Sequence, residues 1–266
     1  MDLELKGLHV LITGGSKGIG FACAQDFLRE GARVSLVSRD AATLAKAKAQ
    51  LQTEFPLGTN DIAVFSADLK DPMAAKAAHD EAVTTFGAVD VLVNSAGAAQ
   101  RTPHDELTPA AWRAAMDAKF FTYIHMMDAV IKNMGARGTG AIVNVIGAGG
   151  KHASNFHLPG GAANAALMLA SSGLATAYAP RGVRVNAVNP GQTQTERLQG
   201  GLAAMAKSDG MTVDEALVRA TKSVPMGRLA KPEEIANAVL FLASSKASYI
   251  TGVVVAMDGA SHPMVV

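Results

Sequence analysis

Eleven residues near the start of the chain constrain its fold more than any others: Val10-Leu11-Ile12-Thr13-Gly14-Gly15-Ser16-Lys17-Gly18-Ile19-Gly20. An apolar run ends at Thr13, glycines crowd the next seven residues, and a helical pattern begins at Ile19. Glycine lets the backbone turn sharply and lets a ligand approach it without a Cβ in the way. A helix that starts straight after such a turn offers N–H donors and a partial positive charge to an anion. The run therefore predicts strand, tight turn and helix, with a pyrophosphate as the ligand of the turn. A tight strand–helix turn without a ligand is the alternative reading.

The rest of the chain repeats this alternation. Short apolar runs at 8–13, 33–37, 62–66, 89–93, 141–146, 183–188 and 253–257 predict seven strands. Helical patterns at 19–30, 41–55, 72–86, 109–134, 159–178 and after Pro232 separate them. Apolar runs of this length divided by helices mean parallel strands covered on both faces. The fold class is therefore α/β, a doubly wound (Rossmann) parallel sheet of seven strands. No linker or repeat divides the chain, so residues 1–266 form a single domain.

Hydrophobic residues make up 49% and charged residues 18% of the chain, which suits a large buried core and excludes disorder. Lys plus Arg number 24 against 23 Asp plus Glu, so no single-sign field is available for nucleic acid. Cys23 is the only cysteine, which excludes an intramolecular disulfide and a cysteine-cluster metal site. Ligand spacing among the histidines is lacking, so no metal is expected. Apolar stretches stop well short of the ~20 residues a membrane span needs. The opening residues show no basic-then-apolar leader pattern, and the expectation is a cytoplasmic protein.

Between Thr195 and Met226 the pattern is helical but irregular, with Gly200, Gly201 and Gly210 inside it. Segments after a strand's C-terminal end sit over the ligand crevice of an open α/β sheet. A helical lid at about 196–225 is one reading, and a plain surface excursion is the other. Leu198, Leu202, Met205 and Met211 would give a lid an apolar lining, suited to a hydrophobic or mixed substrate.

The glycine turn, Thr-Gly-x-x-x-Gly-Ile-Gly, resembles the fingerprint of the short-chain dehydrogenase/reductase superfamily. The resemblance runs through nearly the whole chain: Asp68-Leu69, Asn94-Ser95-Ala96-Gly97, Asn189-Pro190-Gly191, Tyr249-Ile250-Thr251-Gly252 and Asp258-Gly259. It implies a nicotinamide dinucleotide held by Gly14, Ser16, Lys17, Gly18, Ile19 and Gly20. Asp68 and Leu69 would lie beside the adenine. Asn94, Ala96, Gly97, Pro190, Gly191, Thr193 and Thr195 would complete the cofactor set.

The choice of cofactor follows from charge. An NAD enzyme places a carboxylate at the end of the second strand, for the ribose hydroxyls. Here Ser38 stands there, followed by Arg39. A guanidinium binds a 2′-phosphate in a fork that a carboxylate would repel, and Lys17 adds a second cation. NADP(H) is therefore preferred over NAD(H). Asp40 is read as a helix cap, and a solvated charge is the alternative for Arg39.

At the catalytic positions the chain departs from what the resemblance implies. The family's serine, tyrosine, lysine and asparagine would fall at Gly147, Gly160, Asn164 and Lys119. The tyrosines, Tyr123, Tyr178 and Tyr249, lie elsewhere. A general acid or base contributes about 10²–10⁴ in rate, so its loss matters. Two features offer replacements. Lysine and asparagine have exchanged helices, as Lys119 and Asn164. The 147–159 loop brings Lys151, His152, Ser154, Asn155 and His157 where the family has its substrate-facing loop. His157 is the first candidate proton donor and His152 the second, since imidazole exchanges protons near neutral pH. Loop hydrogen bonding is the alternative for the histidines, and a surface charge for Lys119.

Two functions follow. One is an NADP(H)-dependent oxidoreductase of small molecules with a non-standard proton donor. The other is a cofactor-binding sensor or partner subunit without turnover. Ala162, Ala166, Ala170 and Gly173 recur at helical spacing and would allow the close contact of a homodimer or homotetramer. Packing within the monomer is the alternative.

Overall fold

The computed structural model describes residues 2–97, 99, 102–153 and 157–264. Seven parallel strands form one sheet: β1 (His9–Thr13), β2 (Arg33–Ser38), β3 (Ile62–Ser66), β4 (Val91–Asn94), β5 (Gly140–Val145), β6 (Val183–Pro190) and β7 (Val254–Met257). Their order is β3-β2-β1-β4-β5-β6-β7. The chain leaves β1 toward one edge and returns to β4 on the other side of β1, which opens a crevice at the strands' C-terminal ends.

The helices are α1 (Gly18–Arg29), α2 (Ala41–Glu54), α3 (Pro72–Phe86), α4 (Pro109–Ala115), α5 (Thr122–Arg137), α6 (Leu158–Tyr178), α7 (Glu196–Asp209), α8 (Val213–Lys222) and α9 (Pro232–Ala243). Side chains alternate across each strand. Val10 and Ile12 face Phe27 of α1, Leu44 of α2 and Ile235 of α9. Leu11 faces the opposite layer, with Ala78 of α3, Met126 of α5 and Leu167 of α6. Both faces are covered, which is why the strands read as unbroken apolar runs.

Strand β4 begins two residues later than its apolar run suggests. Gly87 turns the chain at φ +83°, and Asp90 still belongs to the approach, its N–H donating to His9 O at 2.9 Å. The long helical pattern from Pro109 is one helix with a fault. Residues Met116–Phe121 make a π-type turn between α4 and α5.

Segment 196–225 forms two helices, α7 and α8, packed on each other. Leu202 and Ala206 meet Ala216 and Ala220, with Leu198, Met205 and Met211 against them. These apolar residues hold the helix pair together. Of the four residues expected to line a substrate pocket, Leu202 is corrected, being only 2% exposed within this pair, while Leu198, Met205 and Met211 are half-buried. Among the described residues no helix is long and apolar enough to cross a membrane.

Candidate active site

The glycine turn is built without room for side chains. Gly14 has φ +67°, and a Cβ there would stand 2.9 Å from the Ala96 backbone. A Cβ on Gly20 would collide with the Gly14 carbonyl. The first turn of α1 thus closes against β1, and its backbone N–H groups face the crevice end of the sheet.

A row of buried polar side chains fixes this end of the sheet. Thr13, Asn94 and Asn144 are register partners on β1, β4 and β5. Thr13 Oγ1 donates to Asn94 Oδ1 at 3.3 Å and accepts from the N–H groups of Ser95 and Ala96. Asn94 Nδ2 donates to Asn144 Oδ1 at 2.9 Å, Asn144 Nδ2 to Ser171 Oγ at 2.9 Å, and Ser171 Oγ to the Leu167 carbonyl. Each polar atom in this chain is paired, as burial demands. Asn94 therefore shapes the crevice from beneath: its side chain is spent inside the sheet.

Ser16 and Ser38 meet by their hydroxyls at 3.2 Å, beside exposed Arg39. Asp40 accepts from Thr43 N at 2.6 Å and caps α2, so its carboxylate is committed there. Those bonds to Thr43 hold its carboxyl below the usual range. Asp68 is exposed and pairs with Lys70 at 3.5 Å, while Leu69 is buried and its carbonyl accepts from the His125 ring.

Across the crevice, Gly191 N donates to Met257 O at 3.0 Å, following buried Pro190. Thr193 is buried and its hydroxyl donates to the Gly191 carbonyl. Thr195 stands at the N-cap position of α7 in extended conformation and lies beside Gly18, whose added Cβ would be 3.4 Å from Thr195 Cγ2. Glu196 pairs with Lys17 at 3.3 Å, both exposed. The start of α7 therefore touches the glycine turn directly.

The opposite end of the crevice is gathered around the end of β5. Lys119 sits on the π-type turn and is 5% exposed. Its Nζ donates to Tyr123 Oη at 2.7 Å and to the Val145 carbonyl at 3.2 Å, and Tyr123 Oη also donates to that carbonyl. Burial holds the Lys119 ammonium well below the usual lysine range, and the charge of Arg197 acts in the same sense. Burial raises the Tyr123 phenol above its ordinary value. Asn164 reaches the same place from α6: a Cβ on Gly147 would be 3.3 Å from its Nδ2. Asn164 is 5% exposed, and its Oδ1 has no hydrogen-bond partner among the described residues.

His157 occupies the N-cap position of α6. Its imidazole fills the space in front of Gly160, so that a Cβ at 160 would collide with ring atoms Cε1 and Nε2. His152 turns the other way and stacks on His262 at 4.1 Å, and His262 is bound through its N–H to Asp258 at 3.1 Å. Ser154 and Asn155 lie outside the described residues.

Arg197 escapes sequence reasoning. Its Nη1 donates to the Gly97 carbonyl at 3.4 Å, which carries α7 over to the loop after β4. Nothing in the local sequence marks it, since the partner lies one hundred residues away. Tyr123 could have been found from its spacing, four residues after Lys119 on one helix face.

A family model described as enoyl-(acyl carrier protein) reductase matches residues 14–262. The chain belongs to the short-chain dehydrogenase/reductase superfamily. A 3α-hydroxysteroid dehydrogenase of Mediterraneibacter gnavus is 34% identical to it, over 98% of this chain and all of the relative. Among solved structures of the superfamily, L-sorbose reductase from Gluconobacter frateurii, complexed with NADPH and L-sorbose, superposes with TM-score 0.91 at 29% identity, covering 100% of both chains. The NADPH-bound structure of a short-chain oxidoreductase from Pseudomonas aeruginosa PAO1, described as containing an atypical catalytic centre, superposes with TM-score 0.87 at 30% identity, covering 97% of this chain and 98% of that one.

Proposed function

We propose that the protein is an NADP(H)-dependent oxidoreductase acting on a carbonyl or alcohol group of a small molecule, with proton-handling groups that replace the superfamily's serine, tyrosine and lysine. The observation that carries this reading is the His157 imidazole in the space in front of Gly160. A titratable ring stands where the usual side chain is missing.

The residues fit the cofactor. Gly14, Gly18, Ile19 and Gly20 form a cradle that any Cβ at Gly14 or Gly20 would fill, and it lies at a helix N-terminus suited to a pyrophosphate. Ser16, Lys17, Ser38 and Arg39 would hold the 2′-phosphate. Asp68 and Leu69 would flank the adenine. Ala96, Gly97, Pro190, Gly191, Thr193 and Thr195 would line the nicotinamide half, with Asn94 setting its shape from below. The unpartnered Asn164 Oδ1, buried beside Gly147, asks for a donor such as a ribose hydroxyl. When bound, the cofactor supplies the hydride.

The chain's own groups handle the proton. His157 would donate to the carbonyl oxygen or accept from the alcohol. Lys119 Nζ donates to Tyr123 and to the Val145 carbonyl, and burial favours its neutral form. In that neutral form its lone pair would take up a proton in turn. The related Pseudomonas aeruginosa structure supports the reading, since it couples NADPH with an atypical catalytic centre. Segment 196–225 is the lid of this site, and the protein works in the cytoplasm.

NADPH consumption with a panel of ketones and aldehydes tests the proposal. Sustained oxidation is expected. Tight NADPH binding with no reduction of any carbonyl would favour a binding protein without turnover. The stripe Ala162, Ala166, Ala170 and Gly173 lies partly at the surface, and Gly173 has open space before it. We propose that it pairs in a symmetric dimer or tetramer; light scattering that shows only monomer at micromolar concentration would contradict this.

A further inference from the structure

The lysine of the π-type turn is gripped by a residue that the proposed proton transfer leaves without a role. Strand β4 ends at Asn94, opposite Asn144 of β5. The N–H of Ile146 turns to β6 and donates to Val188 O at 2.9 Å. Across a trans peptide the Val145 carbonyl points the other way, past the last paired residue of β4, and still has to be satisfied. Tyr123 meets that need. Its ring is fully buried in the apolar cluster that holds Leu92, Met127 and Ile142, and its hydroxyl donates to the Val145 carbonyl.

Stability alone asks for no more than this. One hydrogen bond satisfies a buried carbonyl, and an apolar side chain at 119 would cover it at lower cost than an amine. The chain nevertheless carries an amine there. Lys119 Nζ lies 2.7 Å from Tyr123 Oη, 3.2 Å from Val145 O and 4.3 Å from the centroid of the tyrosine ring. The phenol's one proton is spent on Val145, so toward Lys119 the hydroxyl accepts. Two donors of the amine are thereby aimed at fixed acceptors, and the remaining position of the nitrogen faces away from both. Thr122 Oγ1 donates to the Lys119 carbonyl at 2.9 Å and so secures the backbone beneath. A lysine side chain is long and costly to order, whereas a ring packed on every side is a rigid post.

We propose that Tyr123 is a positioning residue: its hydroxyl holds the Lys119 amine at the end of β5, with the free position of the nitrogen turned to the crevice. The inference rests on the oxidoreductase reading above, in which Lys119 takes up a proton. Tyr123 touches neither substrate nor cofactor and acts through the amine alone. The charge of Arg197 is felt at both side chains, and it stays in place throughout the test.

The test is a cycle of four whole proteins: wild type, Tyr123→Phe, Lys119→Met and the double variant. Each is assayed for NADPH consumption with the carbonyl compound that the wild type reduces fastest, and for NADPH affinity by calorimetry. Phenylalanine keeps the packed ring and removes only the hydroxyl. In the wild-type background Tyr123→Phe is expected to lower kcat about 10-fold, the scale of one hydrogen bond, with KM and NADPH affinity within about twofold. In the Lys119→Met background the same change should leave kcat unmoved, because the hydroxyl acts only through the amine. A kcat that survives Tyr123→Phe overturns the inference. So does an equal loss in both backgrounds, which would make the hydroxyl purely structural. Should Tyr123→Phe fail to fold, wild type and Lys119→Met labelled at lysine Cε and tyrosine Cζ decide the matter by NMR. The Tyr123 Cζ signal is expected to move at the pH where Lys119 Cε moves, and to lose that step in Lys119→Met. A Tyr123 signal indifferent to Lys119 overturns the inference. A wild type without turnover breaks the oxidoreductase reading itself, and the inference falls with it; the wild-type assay separates that failure from the others.

Discussion

The two ends of the crevice are built by different means. At the β1–β2 end, the proposed ligand surface is backbone: a turn whose Gly14 and Gly20 leave no room for a Cβ, with Ser16, Ser38 and exposed Arg39 beside it. At the β5–α6 end, the surface is made of side chains borrowed across helices, Lys119 from one wall, Asn164 and His157 from the other. A backbone cradle tolerates little change, because its geometry is the site. A side-chain site can be rebuilt from another wall while the sheet beneath stays the same. The buried row Thr13–Asn94–Asn144–Ser171 runs from β1 through β4 and β5 to α6, and so gives both ends a common floor.

Arg39→Ala probes the first end. It is expected to weaken NADPH by about 10- to 100-fold, the range of a hydrogen bond between charged groups, and to spare NADH. Equal affinities for the two cofactors in the wild type would remove charge recognition from this end.

The second end is probed by a cycle between positions 157 and 160. In the wild-type background, Gly160→Ala should cost about 1–3 kcal/mol in urea unfolding, since the new Cβ meets the imidazole. In a His157→Ala background the same change should turn mildly stabilising, because alanine is favoured over glycine within a helix by roughly 1 kcal/mol. Additive effects would mean that the ring does not occupy that space in solution.

The smallest effect concerns Lys119 and has a pH sign. In the folded chain burial shifts this amine well below the usual lysine range, whereas the unfolded chain holds it charged up to about pH 10.4. The unfolded state therefore binds more protons, and this group's contribution to stability rises with pH across that window. Lys119→Met removes the burden and leaves Tyr123 bonded to Val145. Its melting temperature should exceed that of the wild type by about 3 °C at pH 7, the scale of ~1 kcal/mol in a chain this long, with the gain shrinking toward pH 10. A gain that grows with pH would show that the amine is charged in the folded protein.

How much of this was readable in the sequence differs between the two ends. The glycine turn, strand β3 and helix α3 follow from local patterns alone, and Asp40 reads correctly as a cap because capping is local. The π-type turn is not readable, since apolar periodicity averages over one extra residue. The pairing of Lys17 with Glu196 spans 179 positions and has no local signal. The inward turn of Asn94 depends on register between strands, which only the assembled sheet reveals. His157 and Gly160 are three residues apart, so their nearness is legible, but the direction of the imidazole is set by the loop that delivers it.

The proposed function requires that the β5–α6 end move a proton during hydride transfer. The direct measurement is NADPH oxidation by the wild type and by His157→Ala, with NADPH affinity measured in parallel. A fall in kcat of about 10²-fold or more is expected with NADPH affinity unchanged, the signature of an interaction made in the transition state. Turnover that survives the loss of the imidazole would contradict it.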